Sequence, residues 1–230
     1  MAYYNEKIET MPKDELSKLQ YQELKKLTAR LYDTSPFYHK KMVETGVKPA
    51  DISSIADITK LPFMKKTDLR DNYPDGLVCV PHDDLVRYHV SSGTTGKPTV
   101  VAYTKNDIDL WSECVARSLV SCGVGKKDVL QVCYGYGLFT GGLGLHYGGE
   151  KVGATVIPAS TGNTERQIEL IQDLKTTVVA CTPSYFIHLI DVAKKLGVDL
   201  NKDTFLRTAV LGAEPWTDAM RRYIYAESGV

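Results

Sequence analysis

The sequence carries no excess of charge of either sign. Its 28 Lys and Arg are matched by 28 Asp and Glu, for a formal net charge of +0. A balanced chain gives no electrostatic reason to expect nucleic acid or an anionic membrane as partner. No apolar run is long enough to cross a bilayer, and the opening "MAYYNEKIETMPKDEL" lacks the basic start and apolar middle of a secretion signal. Cysteines are few: Cys79, Cys114, Cys122, Cys133 and Cys181 are scattered, odd in number and without a CxxC pair. Buried reduced thiols are expected, rather than a disulfide framework or a zinc site. The histidines, His39, His82, His89, His146 and His188, show no metal-ligand spacing and read as structural or exposed. There is no internal repeat and no low-complexity tract. With 230 residues, 43% of them apolar, the chain can bury a sizeable core, and a cytoplasmic globular protein is expected.

The first 75 residues predict a helical region without a clear sheet of its own. Leu16, Leu24, Leu27 and Leu31 recur at helical spacing from Lys13 to about Tyr32. A turn at Ser35-Pro36 leads to a short helix ending near Gly46. The stretch "DITKLPFMKKTDLRDNYPDG", with Pro62 and Pro74, reads as connecting loop with short helical pieces. From residue 76 to 230 the pattern becomes α/β. Val86, Tyr88 and Val90 alternate into a Ser-rich loop, and Val100, Val101 and Tyr103 leave it as a second strand. Thr104 and Asp107 form a capping box for a helix whose face is Ile108, Trp111, Val115, Leu119 and Cys122. Apolar runs such as "DVLQVCYG", "ATVIPA", "TTVVACTP" and "LRTAVLGAEP" then alternate with amphipathic helices. That alternation predicts a mostly parallel sheet flanked by helices. At Gly229-Val230 a helix has just ended and another strand is due, so the sheet is expected to be incomplete at its C-terminal end.

Three segments carry chemistry. "SSGTTGK", Ser91, Ser92, Gly93, Thr94, Thr95, Gly96 and Lys97, holds four hydroxyls, two glycines and an ammonium. It fails the P-loop pattern, because Ser91 stands where the first Gly belongs and Pro98 where the Mg-binding hydroxyl belongs. Pro98 also bars the helix that follows a P-loop. Convergent N–H groups, short hydroxyl donors and one point charge still suit a polyphosphate. "LGAEP" follows an apolar strand, and its Gly-Ala step would let a flat base approach the backbone. "CYGYGLFTGGLGLHYGG" sets seven glycines among Tyr134, Tyr136, Phe139 and Tyr147. Each glycine costs a helix roughly 1 kcal/mol relative to alanine, so something is expected to approach this backbone closely. His146, inside that segment, is the histidine to watch.

"SSGTTGKP" resembles the phosphate loop of the adenylate-forming superfamily. "RYHVSSGTTGKPTVVAYTKNDIDLW", "YGYGLFTGGLGLHYG", "VIPASTGNTERQIELIQDLK", "TPSY" and "LGAEPW" resemble its phenylacetate–CoA ligase branch, as does "SPFYHKKM". The resemblance implies an ATP-dependent aryl-acid CoA ligase working through an acyl-adenylate, with ATP, Mg2+ and coenzyme A and a small aromatic carboxylic acid as substrate. By analogy, Ser91 through Lys97 hold the β- and γ-phosphates, and Gly212, Ala213, Glu214 and Pro215 contact the adenylate. Tyr134, Tyr136, Phe139 and Gly141 form the acyl pocket. The family's metal-binding glutamate, ribose-binding aspartate and adenylation lysine have no counterpart here, so no catalytic or metal residue is assigned. The chain is read as the incomplete large N-terminal domain of such an enzyme, inactive alone. Left open are an adenylating enzyme with a non-CoA acceptor, a nucleotide-binding module without catalysis, the identity of the acid, and the oligomeric state, a homodimer being one option.

Overall fold

The computed structural model describes residues 2–91 and 98–230. The chain divides into two compact units, Asn5–Asp107 and Ile108–Val230, the latter joined by residues 2–4. The first unit opens with α1 (Glu6–Glu9), α2 (Lys13–Thr34) and α3 (Pro36–Thr45). Ser35 separates the last two. Its extended backbone, imposed by the following proline, ends α2, and its hydroxyl accepts the Tyr38 N–H at 3.3 Å to start α3. Gly46, at φ 71°, ends α3 in the left-handed conformation that a side chain would disfavour. Short 3-10 turns and α4 (Lys66–Asp71) occupy the proline-containing stretch. The hairpin β1 (Leu85–Val90) and β2 (Val100–Thr104) is antiparallel, with Val90 opposite Val100. The expected capping box is present: Thr104 N–H donates to Asp107 Oδ2 at 2.8 Å, and Asp107 N–H to Thr104 Oγ1 at 3.2 Å. It opens α5 (Lys105–Ser121).

The second unit is a four-stranded parallel sheet wrapped by helices. Its elements are β3 (Val129–Val132), α6 (Gly141–Val152), β4 (Thr155–Ile157), α7 (Thr164–Asp173), β5 (Val178–Cys181), α8 (Pro183–Lys195), β6 (Thr208–Leu211) and α9 (Asp218–Ser228). Spatial order is β4-β3-β5-β6. Alternation along the strands sorts the core into two layers. Leu130, Val132, Val178 and Ala180 pack with Leu119 of α5 and Leu145 and Val152 of α6. Cys133, Val179 and Cys181 pack on the other side with Ile168 and Ile171 of α7, Phe186, Leu189 and Ile190 of α8, and Ile224 of α9. Burial on both faces explains why these strands read as continuous apolar runs. Among the described residues no helix is long and apolar enough to cross a membrane.

Candidate active site

From β3 the chain passes through α6 on one face to β4. It then crosses to β5 through α7 on the other face, and α8 carries it on to β6. The connections leaving β3 and β5 therefore diverge to opposite sides. A crevice opens outside the carboxyl ends of these two strands, the usual ligand position in an open α/β sheet. Tyr134, two residues past β3, spans that edge. Its hydroxyl donates to Cys181 O at 2.6 Å, at the end of β5, and lies 3.2 Å from Gly212 O, just beyond β6. Burial pushes its pKa up to about 12, so the phenol stays a neutral donor at ordinary pH.

Beside Tyr134 lies a cleft of about 600 Å³, with mainly apolar walls. It brings together Tyr134, Phe139 and Gly141 of the expected acyl pocket with Ala213 of the expected adenylate segment. Phe139 stands at its mouth, 66% exposed. Tyr136 is not among the lining residues. Its hydroxyl meets His146 Nδ1 at 3.3 Å, and His146 Nε2 meets Glu150 Oε1 at 3.2 Å, one turn further along α6. Trp111, Val115 and Ser118 of α5 form the opposite wall, and sequence reasoning had counted Trp111 and Val115 only as a helix face.

The glycines of this segment are largely accounted for by the protein itself. A Cβ on Gly144 would lie 2.6 Å from Trp111 Cζ2, and one on Gly148 2.4 Å from Val115 Cγ1. On Gly149 it would meet Leu130 and Val156 at 2.8 Å, and on Gly142 the Gly135 carbonyl at 2.6 Å. α6 is thus laid directly on α5, on the sheet and on the preceding loop, and its glycines are sites of backbone contact. Gly141 differs: a Cβ there would make only ordinary contact with Tyr134, at 3.6 Å.

Beyond β6, a Cβ added to Gly212 would have no atom of the described residues within 4 Å apart from its chain neighbours. Ala213 has φ 71°, a left-handed conformation uncommon for a residue with a side chain and concentrated at functional loops. Glu214 turns back to α8, where its Oε1 accepts the Ser184 N–H at 2.6 Å. The Ser184 hydroxyl and N–H hold this carboxyl below the usual carboxylate range, as suits an acid at a helix N-terminus. Pro215 follows on the exposed surface.

A buried polar network fixes the loop after β4. Thr176 Oγ1 donates to Gln131 Oε1 at 3.1 Å, and Gln131 Nε2 donates to Gln167 Oε1 at 2.6 Å. Gln167 Nε2 then reaches Ser160 O at 2.9 Å and lies within 3.5 Å of Ala159 O and Gly162 O. Ser160 (φ 62°), Gly162 (φ 88°) and Asn163 (φ 41°) are all left-handed, which this amide holds in place. Gln131 was visible as the polar residue within an apolar strand, but its partner was not.

Of the expected phosphate loop, Ser92, Gly93, Thr94, Thr95, Gly96 and Lys97 lie outside the described residues. Ser91 closes the base of the loop: its N–H donates to Thr99 O at 2.9 Å and its hydroxyl accepts from Thr99 N–H at 2.8 Å. Among the described residues no group of three or more His, Cys, Asp or Glu could hold a metal ion.

A family model for AMP-binding enzymes matches residues 8–229. Phenylacetate-coenzyme A ligase from Thermus thermophilus is 50% identical over 227 residues, which is 99% of this chain and 51% of that protein. The Escherichia coli K12 phenylacetate-coenzyme A ligase is 51% identical over 224 residues, 97% of this chain and 51% of that protein. The chain thus spans about half the length of the relatives it matches. A crystal structure of 2-hydroxyisobutyryl-CoA ligase, in complex with 2-HIB-AMP and CoA, aligns with a TM-score of 0.91 and 28% identity. The alignment covers 99% of this chain and 50% of that one. With the family match running unbroken from α2 through α9, and so through both walls of the cleft, the chain belongs to the AMP-binding enzyme family.

Proposed function

We propose that the full-length protein is an ATP-dependent, AMP-forming ligase that joins a small aromatic carboxylic acid to coenzyme A. The observation that carries this reading is that Ala213 lines the same cleft as Tyr134 and Phe139. An acyl-adenylate needs an apolar acyl site continuous with a nucleotide site, and an apolar cleft reaching Ala213 at the carboxyl edge of the sheet supports that reading. The relatives at 50% and 51% identity are named for phenylacetate, which supports an aromatic acid over an aliphatic one.

In the first step a carboxylate oxygen attacks the α-phosphorus of ATP, and the bond to pyrophosphate breaks. In the second, the thiol sulfur of coenzyme A attacks the acyl carbon, the bond to AMP breaks, and the thiol proton is lost. Gly212 through Pro215 line the adenylate, and Tyr134, Phe139 and Gly141 bracket the acyl group. Ser91 through Lys97 supply N–H, hydroxyl and ammonium donors to the charge that develops on the phosphates. Tyr136 acts at one remove, through its contacts with α6. Mg2+ would accompany ATP as its counterion; among the described residues no group of three or more His, Cys, Asp or Glu is placed to hold it. The protein's own contribution here is to bind, orient and exclude water.

The test is acid-dependent pyrophosphate release by full-length protein, with aromatic and short aliphatic acids, with and without coenzyme A. Release with aromatic acids, followed by thioester formation, is expected. Adenylation without transfer to coenzyme A would point to a different acceptor, and no acid-dependent release would overturn the reading.

A further inference from the structure

We propose that Trp111, seated on the backbone of Gly144, is the residue that sets how large an acyl group the cleft admits. The inference rests on the reading that this cleft holds the acyl group. It concerns a residue that neither the sequence nor the family resemblance had assigned to the site.

Two contacts between α5 and α6 differ in kind. At Gly148 an added Cβ would meet Val115 at Cγ1, at Cβ and, at 3.2 Å, at the backbone carbon, so nothing there can yield without moving a helix. At Gly144 it would meet Trp111 only on the indole: Cζ2 at 2.6 Å, Cε2 at 3.0 Å and Nε1 at 3.2 Å. Trp111 and Val115 are four residues apart, as are Gly144 and Gly148, so one seam carries both. The Val115 contact fixes the spacing of the helices. The Trp111 contact then fixes where the ring stands, at the point where Trp111 and Gly144 together line the cleft. Phe139, by contrast, is 66% exposed. A rigid wall discriminates size better than an exposed ring, because an oversized ligand cannot push it aside.

The ring and its glycine therefore act as a pair with opposite predicted effects. A methyl group at Gly144, which lines the cleft beside Trp111, takes up room there and crowds the indole, so the cleft shrinks, whereas a smaller ring at Trp111 enlarges it. The experiment uses full-length protein and compares kcat/KM for pyrophosphate release with benzoate, phenylacetate and 2-naphthylacetate. Gly144→Ala is expected to lower the naphthylacetate-to-benzoate ratio by about tenfold or more, and Trp111→Phe to raise it by a similar factor. The double variant is expected to return to within about threefold of wild type, a compensation that mere loss of stability would not produce. Should Gly144→Ala fail to fold, Trp111→Phe and Trp111→Leu carry the test alone. A ratio unmoved in these variants of an active enzyme would overturn the inference and leave the proposed function standing. Wild-type protein inert toward every acid would overturn both.

Discussion

The hydroxyl of Tyr134 and the carbonyl of Cys181, 47 residues apart in sequence, meet at 2.6 Å and join the carboxyl ends of β3 and β5. The Cys181 oxygen also receives the Gly212 N–H at 3.3 Å, so one acceptor ties three strand ends together. Tyr134→Phe keeps the ring in the cleft and removes this bond together with the weaker 3.2 Å contact to Gly212 O. We expect a loss of about 0.5–1.5 kcal/mol in stability. Because burial raises the folded pKa to about 12, the bond's contribution is intact below the unfolded phenol's value of about 10. It declines as pH rises from there through the folded value. Denaturation midpoints at pH 8 and pH 10.5 should fall further for wild type than for Tyr134→Phe; equal falls would mean that this phenol is not the titrating group.

At the opposite edge of the sheet, Arg207 clasps Asp128. Arg207 Nε donates to Asp128 Oδ1 at 2.9 Å, Arg207 Nη2 pairs with Oδ2, and Thr177 Oγ1 and Gly125 N–H add bonds at 2.7 Å each. Burial pushes the Asp128 carboxyl up, but these donors outweigh it and hold the group below the usual carboxylate range. Its stabilisation is therefore present above the unfolded pKa of about 3.9 and is lost as pH falls through the lower folded value. Asp128→Asn should cost about 1–3 kcal/mol at pH 7, discounted because Arg207 is half exposed. Urea titrations at pH 7 and pH 3 would show the wild-type advantage shrinking; a constant advantage would rule out the charge as its source.

Gly148→Ala sets two effects against each other. Alanine is favoured in a helix by about 1 kcal/mol, but its methyl would stand 2.4 Å from Val115 Cγ1. Overpacking costs typically 1–3 kcal/mol, and a clash with backbone nearby belongs at the upper end, so net destabilisation is expected. Val115→Ala in the same protein should recover part of it. Thermal melts of the two single variants and the double variant measure the coupling, and additive effects would show that the helices relax independently.

Replacing Gln167 with leucine should loosen the loop after β4. The substitution takes the side-chain donor from the half-buried Ser160 carbonyl, at about 1–3 kcal/mol, while Gln131 Nε2 loses the Gln167 Oε1 acceptor but keeps the Gln167 backbone carbonyl at 3.1 Å. Amide hydrogen exchange should quicken in residues 159–163 ahead of β3 and β5. Faster exchange spread evenly over the sheet would mean that the network supports the core and not the loop.

Lys97 supplies the only ammonium of the phosphate loop. In full-length protein, Lys97→Ala should lower kcat/KM for ATP tenfold or more while leaving acid binding nearly unchanged. Charge-assisted hydrogen bonds contribute about 1.5–3 kcal/mol each. Unchanged ATP dependence in steady-state kinetics would remove the loop from the nucleotide site.

Much of the fold was legible because local rules wrote it. The Ser35-Pro36 break, the Thr104–Asp107 box and the alternation of apolar runs with amphipathic helices each depend on neighbours within one turn or one strand. The family resemblance was likewise a matter of ordered short motifs. What the sequence could not separate was glycine needed for a ligand from glycine needed for packing, since both remove a side chain. In α6 the partners of Gly144 and Gly148 lie 33 residues earlier, on a different helix. Tyr134 and Tyr136 looked equivalent two positions apart. Once β3 has ended at Val132 the strand period no longer dictates direction, and one ring faces the cleft while the other faces His146.

The sequence by itself determined the elements, the parallel α/β class and the family, because these follow from periodicity, capping and contiguous motifs. Only the tertiary structure decided the strand order β4-β3-β5-β6 and, with it, where the crevice opens. It also decided that Trp111 stands in the cleft's wall and that Gln167 reaches across to the loop. Four strands of similar apolar character can pair in many orders. The choice among them rests on contacts between residues far apart in the chain, which no local pattern records.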